Sequence, residues 1–145
     1  MGLFNKILVP VDGSRYSLDA VRLAVKIARV HGSEIKIFHV LDVLVIDKLK
    51  HFSKKDKASI QEELSHNALG SLKDIEYELM GEKVNFELLI KEGVPHEAIL
   101  EEAYSWKAEL IVMGKLGRRG ISHIVLGSVT ERVIEFSDMP VLVVK

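Results

Sequence analysis

A chain of 145 residues is long enough to bury one sizeable core and too short for two. Apolar residues make up 48% and charged residues 28%, with only 3 prolines and 10 glycines, which excludes a disordered or low-complexity chain. Twenty Lys and Arg against 21 Asp and Glu leave a net charge of -1, so no global field draws the protein to nucleic acid or to an anionic membrane.

There is no cysteine, which removes disulfides, thiolate chemistry and cysteine-ligated metal together and fits a reducing compartment. The cytoplasm is the expected location. The first apolar stretch is interrupted by Lys6, Pro10 and Asp12, so no signal peptide is expected. Nowhere do about 18 apolar residues run together, so no membrane span is expected either.

In chain order, the first strand-like run is Ile7 to Val11, followed by a helix on which Leu18, Val21, Val25 and Ala28 recur at helical spacing and Gly32 stands as the C-terminal cap. A second strand spans Ile35 to Leu41. Residues 42 to 58, DVLVIDKLKHFSKKDKA, have no clean period and read as a loop with some local helix. Their five lysines, Lys48 to Lys57, are either a phosphate or partner contact or a solvated face. A long second helix follows, with Ser59 and Glu62 as a capping box and Ile60, Leu64, Ala68, Leu72, Ile75 and Leu79 as one stripe.

Phe86 to Ile90 is the third strand, interrupted by polar Asn85, Glu87 and Lys91 as an edge strand would be. Ile99, Ala103 and Trp106 mark the third helix, where Trp106 reads as packing. Leu110 to Met113 is the fourth strand, Val129, Val133 and Phe136 mark the fourth helix, and Val141 to Val144 form a last strand after Pro140. Alternating strands and helices in one domain predict right-handed crossovers and a three-layer α/β fold. The expected sheet is open, parallel and five-stranded, Rossmann-like in layout, with order 3-2-1-4-5.

Ligands bind such sheets outside the carboxyl ends of the strands, where neighbouring crossovers diverge. Two loops lie there. One follows the first strand through Val11, Asp12, Gly13 and Ser14; the other runs from Met113 and Gly114 through Gly117, Arg118, Arg119 and Gly120 to Gly127, Ser128, Val129 and Thr130. The second has the makings of a phosphate cradle: glycines, a helix start at Ser128 with Glu131 completing a capping-box pattern, hydroxyls on Ser128 and Thr130, and cationic Lys115, Arg118 and Arg119. Local physics also allows a glycine-rich connection with an ordinary cap. Asp12 is either a ligand contact or a carboxylate capping the following turn.

Gly114, two residues, Gly117, nine residues, then Gly127 and Ser128 resembles the nucleotide-binding signature of the ATP-binding branch of the universal stress protein family. The similarity covers essentially the whole chain through ILVPVDGS at 7–14, EGVPHEAI at 92–99, ELIVMG at 109–114 and GSVTERVIEFSDMPVLVVK at 127–145. It implies an adenine nucleotide (ATP, ADP or AMP), with Pro10, Val11, Asp12 and Val40 around adenine and ribose, and Met113 and Gly114 closing the pocket beside the ribose. Gly117, Gly127, Ser128, Val129 and Thr130 would hold phosphates. Arg118 is a phosphate clamp or a solvated charge, and Lys115 and Leu116 depart from the Ser and His common in the family. The resemblance further implies a homodimer through Val141, Leu142, Val143 and Val144.

Other sites fit less well. The P-loop and Gly-x-Gly-x-x-Gly patterns are absent, and Gly120 to Ile124 lacks the last glycine of a hydrolase elbow, leaving Ser122 and His123 as loop residues. The acidic cluster of a receiver domain is missing. Six histidines show no metal-ligand spacing, so no dedicated metal is expected and Mg²⁺ would arrive with the phosphates. The expected function is nucleotide binding that changes conformation or partner, in a stress or regulatory role. Slow ATP hydrolysis or adenylate chemistry is the enzymatic alternative, and a dimeric scaffold with a vestigial pocket the third.

Overall fold

The computed structural model describes residues 3–116 and 126–145. Strands β1 (Lys6–Val11), β2 (Glu34–Asp42), β3 (Asn85–Gly93), β4 (Leu110–Gly114) and β5 (Val141–Val144) form one parallel sheet in the order β3-β2-β1-β4-β5, the expected order. Helices α1 (Arg15–His31), α2 (Val43–Phe52), α3 (Lys57–Leu79), α4 (Pro95–Trp106) and α5 (Ser128–Phe136) connect the strands.

The two-residue period of β1 explains the layers. Ile7, Val9 and Val11 face one way, into a core shared with Val21 and Val25 of α1 and Leu72, Ile75 and Leu79 of α3. Leu8 faces the other way, against Ile99 and Ala103 of α4 and Val133 of α5. The sequence reverses direction between these halves: β1 to β3 spread to one side of β1, whereas β4 and β5 fall on the other. The switch point is the β1–β4 seam.

Helix α1 begins and ends where its sequence directs. The Ser14 side chain accepts from the Ser17 amide, and Gly32, at φ 68°, lets its own N–H reach the Ala28 carbonyl at 2.7 Å. The start of α3 corrects the reading from sequence. Asp56, not Ser59, is the N-cap, and its carboxylate accepts from the Ser59 amide at 2.8 Å. Hydrogen bonding from the Ser59 hydroxyl, and then from its amide, holds the Asp56 pKa below the ordinary value. Ser59 is thus the third helical residue, and Glu62 is simply on the surface.

Residues 42–58 correct it again, because Val43–Phe52 form a full helix capped by Asp42, which accepts from the Leu44 amide. The period was hard to read because only Ile46 of α2 is buried, in a small cluster with Leu41, Ile60 and Ala68. On α5 the packed stripe ends at Val133, and Phe136 stands in solvent. Both β3 and β5 are edges, as expected.

A charged clasp lies between β2, β3 and α4. Glu102, only 6% exposed, accepts from Lys36 Nζ at 2.7 Å through one oxygen and from Lys91 Nζ at 2.9 Å through the other. Lys36 also meets Glu87 at 3.1 Å and lies 4.6 Å from the centre of the Trp106 ring. Burial disfavours both charges, but the hydrogen bonds and attraction outweigh it: Glu102 is held below its ordinary pKa and Lys36 above its own. The sequence reading took Glu87 and Lys91 only as marks of an edge strand.

Candidate functional site

Pro10 explains why the sheet opens at the switch point. Asn5 sends its carbonyl to Glu34 beside β2 and Lys6 sends its carbonyl to Glu109 beside β4, so even-numbered residues of β1 turn their backbone groups toward β4. Pro10 is an even position and has no N–H to offer. The β1–β4 pairing accordingly stops after Ile7↔Leu110 and Leu8↔Ile111, whereas β1 pairs with β2 along all six residues. Past Leu8 the ladder between the two strands ends, and their carboxyl ends border a cleft of about 930 Å³, within the range of small-molecule sites.

Of the residues singled out from sequence, Pro10, Val11, Asp12, Val40, Met113, Gly114, Gly127, Ser128, Val129 and Thr130 all line this cleft. Gly117 and Arg118 lie outside the described residues, as do Ser122 and His123. Asp12 serves the turn directly: its Oδ1 accepts from the Ser14 amide at 2.9 Å, and its own amide donates to Ser17 Oγ. The same carboxylate borders the cleft, so the turn fixes its position without hiding it.

The glycines and hydroxyls of the second loop have more local duties than their types suggest. A Cβ on Gly114 would come within 2.8 Å of the Tyr16 backbone, so glycine is required there for β4 to pass under α1. Gly127, not Ser128, is the N-cap of α5, with no side-chain cap bond, so the expected Ser128 and Glu131 box does not form. Its amide donates to the Lys115 carbonyl at 2.9 Å, and the Lys115 amide donates to the Val144 carbonyl at 2.7 Å. Thr130 is buried, and its hydroxyl donates to the Gly114 carbonyl at 2.9 Å. These bonds fasten the start of α5 to the end of β4.

What remains open to a ligand is the first turn of α5. The amides of Ser128, Val129 and Thr130 have no intrahelical acceptor, and the positive end of the helix dipole lies there. Across the cleft are the apolar surfaces of Val11, Val40, Ile99 and Met113. The arrangement can hold a flat apolar group at the strand ends and an anion at α5.

A second wall was missed from sequence. Asp42 and Val45 from the start of α2, and Leu64, Asn67, Ala68 and Ser71 of α3, close the cleft on the side away from α5. The periodic pattern of α3 signalled Leu64 and Ala68 as core residues, but nothing local showed that the helix would flank the strand ends. Among the described residues, no group of three or more His, Asp or Glu could hold a metal ion, and no helix is long and apolar enough to cross a membrane.

Residues 3–145 match the model of the universal stress protein family. Universal stress protein MJ0531 of Methanocaldococcus jannaschii is 41% identical over 144 residues, covering 99% of this chain and 83% of that protein. The solved structure of MJ0577, a universal stress protein of the same organism, is 31% identical and superposes with a TM-score of 0.86, covering 99% of this chain and 96% of that one. A universal stress protein solved in complex with cAMP is 26% identical, with a TM-score of 0.62 over 97% of this chain and 96% of its own.

Proposed function

The chain belongs to the universal stress protein family, and from that premise we propose that it binds an adenine nucleotide in the cleft at the β1–β4 seam and passes occupancy on as a change of conformation or partner. The observation that carries this reading is the open N-terminal turn of α5 on the wall of a cleft whose other surfaces are Val11, Val40 and Met113. Phosphate suits the three amides, the base suits the apolar strand ends, and Asp12 suits a ribose hydroxyl. That a relative is described in complex with cAMP supports the same ligand class. Mg²⁺ enters with the phosphates, through their oxygens and water.

The test is a thermal-unfolding titration of nucleotide-stripped protein with Mg²⁺-ATP, ADP, AMP and cAMP, beside Ser128→Pro. Proline is favoured at the first position of a helix, and Gly127, at φ -69° and ψ 153°, already has the backbone that a residue before proline requires. The variant therefore keeps α5 and removes one ligand amide. At about 100 times its dissociation constant, a nucleotide adds about 2.7 kcal/mol to the wild type, a shift of roughly 5–10 °C. Ser128→Pro loses most of that shift. No shift in stripped wild type with any of the four overturns the reading, and phosphate release faster than about 1 s⁻¹ that Ser128→Pro abolishes replaces it with hydrolysis.

Self-association through β5 is part of the same proposal. Pro140 and Val144 send their carbonyls to β4, so Val141 and Val143 turn their amides to the open edge, where a second copy can pair. Val143→Pro removes an outward donor and spares the β4 ladder. Sedimentation of the variant should show monomer; an unchanged dimer overturns pairing through this edge.

A further inference from the structure

We propose that α2 and the turn after it form a docking surface for an anionic phospholipid membrane. Leu44, Lys48 and Phe52 recur every four residues and share the outward face of α2, while Ile46 faces the reverse way into the core. Leu44 is 62% exposed and Phe52 79%, with the His51 ring edge-on to Phe52. Lys54, Lys55 and Lys57 follow on exposed positions of the turn and the start of α3, and Lys50 lies toward the side of α2 that carries Ile46. Five lysines against Asp42, Asp47 and Asp56 leave residues 42–58 with two positive charges in excess, and Asp42 and Asp56 keep their charge while capping α2 and α3. A chain of net charge -1 thus holds a local cationic patch, effective within a Debye length of about 8 Å.

Footprint and charge select the occupant. Ten helical residues make a face about 15 Å long and about 10 Å wide, far below the ~800 Å² per side of a stable protein interface. A second copy on this face would set lysines against lysines. A bilayer needs no complementary groove: it accepts protruding Phe and Leu at the headgroup boundary and lysines at the phosphates.

The test is flotation of the full chain with vesicles of phosphatidylcholine alone or with about 30% phosphatidylserine. The wild type should float with the anionic vesicles only, and release at ~0.5 M salt. Lys48→Glu should weaken partition by at least about fivefold, the value of one lysine at such a surface. Leu44→Ser with Phe52→Ser, both on exposed positions, should weaken it further. Lys26→Glu, on an exposed position of α1, should leave partition unchanged. Equal flotation with neutral vesicles, no flotation at low salt, or an equal loss with Lys26→Glu each overturns the proposal. So does concentration-dependent self-association that Phe52→Ser removes, or capture by an acidic amphipathic peptide without flotation, since these assign the face to a protein.

Discussion

The β2–β3 seam pairs nine residues from Glu34↔Asn85 to Asp42↔Gly93, whereas the β1–β4 seam pairs two. The first is clasped by a buried carboxylate between two lysines; the second is split by a proline and held past the split by single hydrogen bonds to the start of α5. Cohesion and access are thus separated within one sheet. The β2–β3 half has continuous pairing and a cross-layer ion cluster, and the half that borders the cleft gives up a ladder bond where the crossovers diverge.

The largest effect should come from breaking the clasp. Glu102→Gln keeps the volume but leaves the Lys36 charge buried with only the exposed Glu87 nearby, and should cost about 3 kcal/mol in denaturant unfolding. The pH profile checks the cause. Glu102 has a lowered pKa, so its contribution is present above the ordinary value of 4.5 and lost as pH falls below it through the folded value; Lys36 has a raised pKa, so its contribution is present below 10.5 and lost as pH rises above it. The variant should lose the acid-side slope. Retention of that slope would place it in other carboxylates.

Gly114→Ala is the next largest, about 2 kcal/mol, because the new Cβ meets the Tyr16 backbone, which has no rotamer by which to yield. A melting temperature within ~1 °C of wild type would show that β4 and α1 separate freely. Thr130→Val keeps the shape and takes the donor from the Gly114 carbonyl, for about 1.5 kcal/mol. Nucleotide binding should weaken with it if α5 is positioned by this bond, and stay unchanged if the helix start is held by Gly127 alone.

Pro10→Ala sharpens the comparison with the smallest change in stability, below about 1 kcal/mol, because a gained hydrogen bond offsets the lost chain restriction. The new amide should be protected in hydrogen exchange, and the nucleotide-induced shift should shrink as the seam closes. Free exchange with an unchanged titration would remove Pro10 as the cause of the split.

Much of the cleft was legible because its residues sit at strand ends and helix starts, where residue type reports backbone role. Asp12, Gly114 and Gly127 were found in this way and Pro10 through the family resemblance, but their local contacts were not. Thr130 was read as a phosphate donor, and its proton goes to a carbonyl sixteen residues back. Gly114 was read as closing the pocket beside a ribose, and the space at its Cα is also taken by Tyr16 of α1. Such assignments depend on which distant backbone arrives, and local spacing holds no record of that.

By itself the sequence determined the alternation of strands and helices, the buried faces of α1 and α3, and the edge positions of β3 and β5. These follow from apolar period and crossover handedness, which are properties of contiguous chain. Tertiary structure alone decided that residues 43–52 are helical, that α2 and α3 wall the cleft, and that Glu102 of α4 joins lysines from two strands. In each of these the deciding partner is remote in sequence, and the free energy comes from a contact that exists only once the layers have packed.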